Sequence, residues 1–92
     1  TQKVFLVEFK YLENEDTLLR AILEIYTYYK VVDPKKLLED FKIHVEPKAI
    51  IPTVLVSAGC LAYRELEEMK NGERPKLKKL SEKLNIRFFK TN

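Results

Sequence analysis

The sequence predicts an α/β fold: a small, parallel or mixed three-stranded sheet with helices, in the order β-α-α-β-α-α-β. Three observations carry that prediction. The apolar runs VFLVEFK and TVLVS lie more than forty residues apart, room for a helical crossover between parallel strands. TVLVS is short, almost wholly apolar and bounded by Pro52 and Gly59, the signature of a strand buried on both faces. The segments between and after these runs repeat apolar residues every three to four positions, behind capping residues or prolines.

Each element has its own reason. In the first strand Phe5, Val7, Phe9 and Tyr11 share one face and Val4, Leu6, Glu8 and Lys10 the other. Asn14 is the expected N-cap of the first helix, with Glu13, Glu15 and Asp16 placing negative charge at its positive end. Leu18, Ile22, Ile25 and Tyr29 form its stripe to about Lys30, and Arg20 with Glu24 makes an i,i+4 pair. Asp33-Pro34 opens a short helix with Leu37, Leu38 and Phe41 inward, ending near Lys42. For residues 48 to 59 a helix would carry Pro52 beyond a first turn begun at Pro47, so a strand over Thr53 to Ser57 is preferred. It is expected beside the first strand and parallel to it. A helix from about Leu61 to Met69 follows, stopped by Asn71-Gly72. Pro75 opens the last helix, with Leu77, Leu80 and Leu84 inward, and Ile86 to Lys90 reads as a closing strand.

Composition narrows the function classes. At 92 residues and 46% hydrophobic, the chain supports one domain with one modest core. No apolar run approaches the roughly 20 residues of a membrane span, and no signal-peptide pattern opens the chain, so a cytoplasmic location without membrane contact is expected. A single cysteine and a single histidine exclude an internal disulfide, a Cys/His zinc site and a Cys-His nucleophile. Thirteen lysines and eleven glutamates beside one glutamine resemble thermophile composition. The first residue is Thr rather than Met, as expected of a processed chain or a piece of a longer one. Residues 1 to 68 carry nine Lys/Arg against twelve Asp/Glu, whereas residues 69 to 92 carry eight against two. That basic end, with Lys76, Lys78, Lys79 and Lys83 on the outer face of the last helix, is a candidate nucleic-acid contact; an ordinary solvated helix face has the same pattern.

Glu8 and Lys10 sit about 6.8 Å apart on one strand face, within reach of one ion and the phosphate it activates. The carboxylate suits Mg²⁺, and the ammonium can orient water or offset phosphate charge. Asp33/Lys35, Asp40/Lys42, Glu46/Lys48 and Glu68/Lys70 repeat the acidic-x-Lys spacing, but only Glu8/Lys10 falls on a strand.

VFLVEFKY, a helix containing EIYTY, and then IPTVLVS resemble the back half of the PD-(D/E)XK nuclease superfamily, whose core runs strand, strand, strand, helix, strand. The resemblance spans residues 3 to 60, more loosely the remainder, and implies a restriction-endonuclease-like partial core. Its acidic-x-Lys pair matches Glu8 and Lys10, implying a metal ligand and a catalytic lysine, with Mg²⁺ as cofactor and nucleic acid as substrate. The RecB-type branch adds a Gln-apolar-x-x-Tyr motif, which Glu24 to Tyr28 resembles with Glu for Gln, implying Glu24 and Tyr28 as further site residues. The family's preceding strand supplies an aspartate, and nine residues before Lys10 are too few to hold it. The resemblance thus implies either the C-terminal piece of a longer nuclease or a remnant without catalysis. The alternative from another class is a non-catalytic interaction module, docking on a protein partner or a second copy through an exposed strand edge and the basic helix.

Other marks have structural readings. KLKKLSEKLNI resembles the start of a helix-turn-helix, but RFFKTN offers no recognition helix. His44 is read as a surface or half-buried packing residue, Cys60 as a small buried hydrophobe, and Ser57 lacks the flanking glycines of a nucleophile elbow. Tyr26, Tyr28 and Tyr29 are read as core and helix-interface residues.

Overall fold

A computed structural model describes residues 3–11, 13–44 and 50–91. The elements are β1 (Val4–Lys10), α1 (Leu18–Val31), α2 (Pro34–Asp40), β2 (Ile50–Ser57), α3 (Leu61–Lys70), α4 (Pro75–Lys83) and β3 (Arg87–Thr91). The sheet is parallel throughout, in the order β1-β2-β3, so the α/β order expected from the sequence is the order observed. Val4 pairs with Ile50 through to Lys10 with Val56, and Thr53 with Arg87 through to Ser57 with Thr91.

That topology decides where the core lies. Right-handed crossovers in a sheet whose strand order advances one way place both helical connections on the same face. The even-numbered residues of β1 and β2 and helices α1, α3 and α4 accordingly share one side: Val54 and Val56 pack with Leu18, Ile22, Ile25, Leu66 and Ile86. Each such side chain, taken out of water, contributes roughly 1.5–3 kcal/mol. The opposite, odd-numbered face is open. Phe5, Val7, Phe9, Tyr11 and Phe89 there are 44% to 55% exposed. TVLVS is therefore not buried on both faces: Leu55 is only half-buried, and Thr53 is covered because the rings of Phe5 and Phe89 meet at 5.6 Å across β2.

Four further expectations shift. β2 begins at Ile50 and includes Pro52, three residues earlier than its sequence suggests. Pairing with β3 starts only at Thr53, so Pro52 lies where β2 has a neighbour on one side alone, and its missing N–H is tolerated there. The Pro47 to Ala49 part of the helix alternative lies outside the described residues. α1 starts at Leu18, not near Asn14, because Thr17 is the N-cap and its hydroxyl accepts from the Arg20 N–H at 3.1 Å. α2 ends at Asp40, where Lys42 turns left-handed at φ 55° and the Ile43 N–H returns to the Leu38 carbonyl. Phe41 is thereby 69% exposed instead of inward.

The remaining boundaries follow the capping chemistry. Asp33 caps α2 by accepting from the Lys35 and Lys36 N–H groups. Asn71 and Gly72 close α3, with Gly72 at φ +86°, a conformation costly to any residue carrying a Cβ. Pro75 takes the first position of α4. No helix among the described residues is long and apolar enough to cross a membrane.

Candidate functional site

Lys10 is the last residue of β1 and points toward the helices, only 3% exposed although it carries a charge. A buried ammonium needs partners. Its Nζ donates to Asp16 Oδ2 at 2.9 Å and to Glu24 Oε1 at 3.2 Å, with Glu8 Oε2 4.0 Å away. Arg20 closes the group from outside, its Nε 3.3 Å from Glu24 and 3.9 Å from Asp16. Two cations thus alternate with two carboxylates, and Glu8 is the carboxylate held least.

Local chemistry fixes each member. The Asn14 side chain accepts from the Asp16 N–H at 2.7 Å, which aims Asp16 at the end of β1. Buried Glu65, from α3, accepts from the Leu18 N–H at 3.0 Å and pairs with Arg74 at 3.2 Å, anchoring the start of α1. Cys60 lies beneath: its thiol is 3.7 Å from the Lys10 carbonyl, and its sulfur accepts from the Tyr63 N–H. Beyond its expected burial, Cys60 therefore caps α3.

The electrostatics follow from these contacts. Burial alone would lower the Lys10 pKa, but the hydrogen bonds and charges of Asp16 and Glu24 outweigh it and hold it above the usual lysine value. The hydrogen bond from Lys10 holds the Asp16 carboxyl below the usual range, with the charges of Lys10 and Arg20 adding to it. Asp16, depressed, contributes stability that is present above its unfolded pKa of about 3.9 and lost as pH falls through the folded value. Lys10, raised, contributes stability that is complete below about pH 10.4 and lost as pH rises through its folded value. The urea midpoint is therefore expected to be flat from about pH 5 to 9 and to fall at both ends. Lys10→Met should flatten part of each limb; the Lys90–Glu67 pair, at 2.7 Å and shifted in the same senses, supplies another part.

An open groove of about 900 Å³ runs between α1 and the edge of β1, lined by Glu8, Arg20, Glu24, Tyr28, Leu19 and Leu23 among others. The structure thus brings Glu8, Lys10 and Glu24 into one cluster, with Tyr28 one turn further along the same groove. Tyr28 is 52% exposed, not a core residue, and is not among the hydrogen-bond partners of Lys10. Tyr26 and Tyr29 are half-buried and stack on each other at 6.5 Å. His44 is exposed.

The four lysines of α4 do not join this site. Lys76 lines a separate groove with Thr17, Leu19 and Arg74, Lys83 lines a pocket with Tyr26, Tyr29 and Arg87, and Lys78 and Lys79 are exposed between them.

No family model, curated protein or solved structure matches the chain. The site is thus read from its own geometry. A hard ion such as Mg²⁺ takes several oxygen ligands. Asp16 and Glu24 are occupied by Lys10 and Arg20, and among the described residues no group of three or more acidic, His or Cys side chains is arranged to hold a metal. These residues do not by themselves fit a complete Mg²⁺ site.

Sequence reasoning missed Asp16 and Glu65. Asp16, read as charge at a helix start, lies in the loop before α1 and reaches back to the strand. Asn14, two residues earlier, was the available signal for a side-chain-bonded turn. Glu65 had a clearer one: it falls on the same stripe as Ala62, Leu66 and Met69, where a carboxylate must find a partner.

Proposed function

We propose that the chain carries the acidic-x-lysine half of a PD-(D/E)XK-type phosphodiester-cleaving centre and acts on or near nucleic acid. The observation that supports this reading best is the meeting of Lys10 from β1 with Glu24 from α1 at 3.2 Å, beside Glu8 on the same strand face. In this reading Lys10, held in place by Glu24 and Asp16, supplies positive charge to the phosphate site from beneath, and Glu8 offers one carboxylate to Mg²⁺. The ion would supply charge stabilisation and an activated water. A second carboxylate is expected from an aspartate-bearing strand added at the outer edge of β1, with water and substrate oxygens filling the other positions.

The test is a labelled-oligonucleotide digest in Mg²⁺ or Mn²⁺. The chain alone is expected to leave the substrate intact. With an aspartate-bearing strand fused or supplied at the β1 edge, cleavage should appear, and Glu8→Gln or Lys10→Ala should lower it about a hundredfold or more. No cleavage with that strand bound would defeat the reading. Robust cleavage by the chain alone, abolished by both substitutions, would show that the site needs no added strand.

One observation favours a second reading. Among the described residues the outer edge of β1 is unpaired, and beside it Leu19, Leu23, Tyr28 and Val31 expose a further apolar stripe of α1. A non-catalytic module that accepts a partner's strand along β1 would use both. Strand binding without cleavage in the same assay favours this reading.

A further inference from the structure

We propose that the open face of the sheet binds single-stranded nucleic acid, with Phe9, Tyr11 and Phe89 stacking on bases and Arg87 and Lys3 meeting phosphates. This face lies across the sheet from Lys10, and the proposal does not depend on the reading given to that cluster.

Helices α1, α3 and α4 pack on the other side, and Phe5, Val7, Phe9, Tyr11 and Phe89 are about half exposed in one patch. Apolar patches of this kind mark interaction surfaces. Four of the five side chains are aromatic. They form two stations: Phe5 edge-on to Phe89 at 5.6 Å, and Phe9 tilted against Tyr11 at 6.3 Å. Phe5 and Phe9 are four residues, about 13 Å, apart along β1, and Phe89 stands in the row of Phe9, across Leu55. Rings standing up from a sheet at intervals are a surface on which unpaired bases stack, since every base has a π-face.

Charge selects nucleic acid over a protein occupant. The strand residues of this face are Phe5, Val7 and Phe9 on β1, Ile51, Thr53, Leu55 and Ser57 on β2, and Arg87, Phe89 and Thr91 on β3. None is acidic. Arg87 is the one charged strand residue among them and is exposed, and exposed Lys3 precedes β1 in the same phase. The carboxylates of β1 and α1 are gathered on the far side around Lys10. The face thus offers rings, hydroxyls and positive charge to a polyanion, with no acidic side chain among its strand residues.

The experiment is fluorescence anisotropy of a short labelled oligothymidylate titrated with the full chain, with a duplex of the same length as competitor. Binding at low salt should favour the single strand by tenfold or more, because paired bases cannot stack on the rings. Phe9→Leu, Tyr11→Leu and Phe89→Leu, which keep apolar volume, should each weaken binding about tenfold. Arg87→Gln should reduce the slope of log affinity against log salt by about 0.7. Tyr11 lies beyond β1, so its replacement leaves the sheet intact, and circular dichroism checks the other two. Absence of binding at low salt would overturn the proposal. So would binding that the aromatic variants leave unchanged while Lys76→Gln, Lys78→Gln, Lys79→Gln and Lys83→Gln together abolish it, which would put the strand on α4. Self-association that Phe9→Leu and Phe89→Leu abolish, without oligonucleotide binding, would likewise overturn it in favour of a second copy on this face.

Discussion

Glu65→Ala is expected to lower the unfolding free energy by roughly 2–3 kcal/mol, a large effect for a residue outside the apolar core. The carboxylate accepts from the Leu18 N–H, and Leu18 is fully buried, so truncation leaves a backbone donor that water cannot reach. It also removes one of the two carboxylates that hold Arg74. Glu65→Gln keeps an acceptor and should cost about 1 kcal/mol or less. Urea titrations followed by circular dichroism measure both, and equal losses for the two variants would refute the capping role. Because Glu65 anchors the start of α1, Glu65→Ala should also loosen the Asp16–Lys10 contact. The alkaline limb of stability should then shrink.

Ile22→Ala should cost about 2–5 kcal/mol, since Ile22 is fully buried between α1 and the sheet and its removal leaves a cavity as well as lost burial. Val7→Ala, on the opposite face of β1 and 49% exposed, should change stability by no more than about 0.5 kcal/mol. The contrast tests the one-sided core. Comparable losses at the two positions would mean that the aromatic face is covered in solution.

The fold was legible where local chemistry and hydrophobic period agreed. Asp33-Pro34, Asn71-Gly72 and Pro75 each mark the boundary their chemistry predicts, and the length of chain between VFLVEFK and TVLVS demanded a crossover. Burial was less legible, because the period gives two faces to a strand without saying which is covered. Phe5, Val7 and Phe9 read as the more apolar face of β1, yet they are the open one; the helices cover Leu6, Glu8 and Lys10. Strand order and handedness decide that, and neither is written in a single strand.

The site was legible in the same partial way. The period of β1 puts Glu8 and Lys10 together, and helical spacing puts Arg20 on Glu24. That Glu24 would reach Lys10, fourteen residues away, depends on how far α1 tilts over the strand, and Asp16 depends on a loop. The start of α1 moved from Asn14 to Thr17 for that reason: Asn14 bonds Asp16 and frees Thr17 to cap.

The parallel pairing of β1 with β2 has a consequence for synthesis. Val4 must wait for Ile50, forty-six positions later. At ~5–20 residues per second, β1 spends roughly 2 to 9 s outside the ribosome before its partner exists. During that interval Phe5, Val7 and Phe9 alternate with Leu6 on an unpaired strand, a form that invites mispairing with neighbouring chains. Glu8 and Lys10 interrupt the apolar run within the strand itself, so the charges that later gather Asp16 and Glu24 also act as gatekeepers while the chain is unfinished.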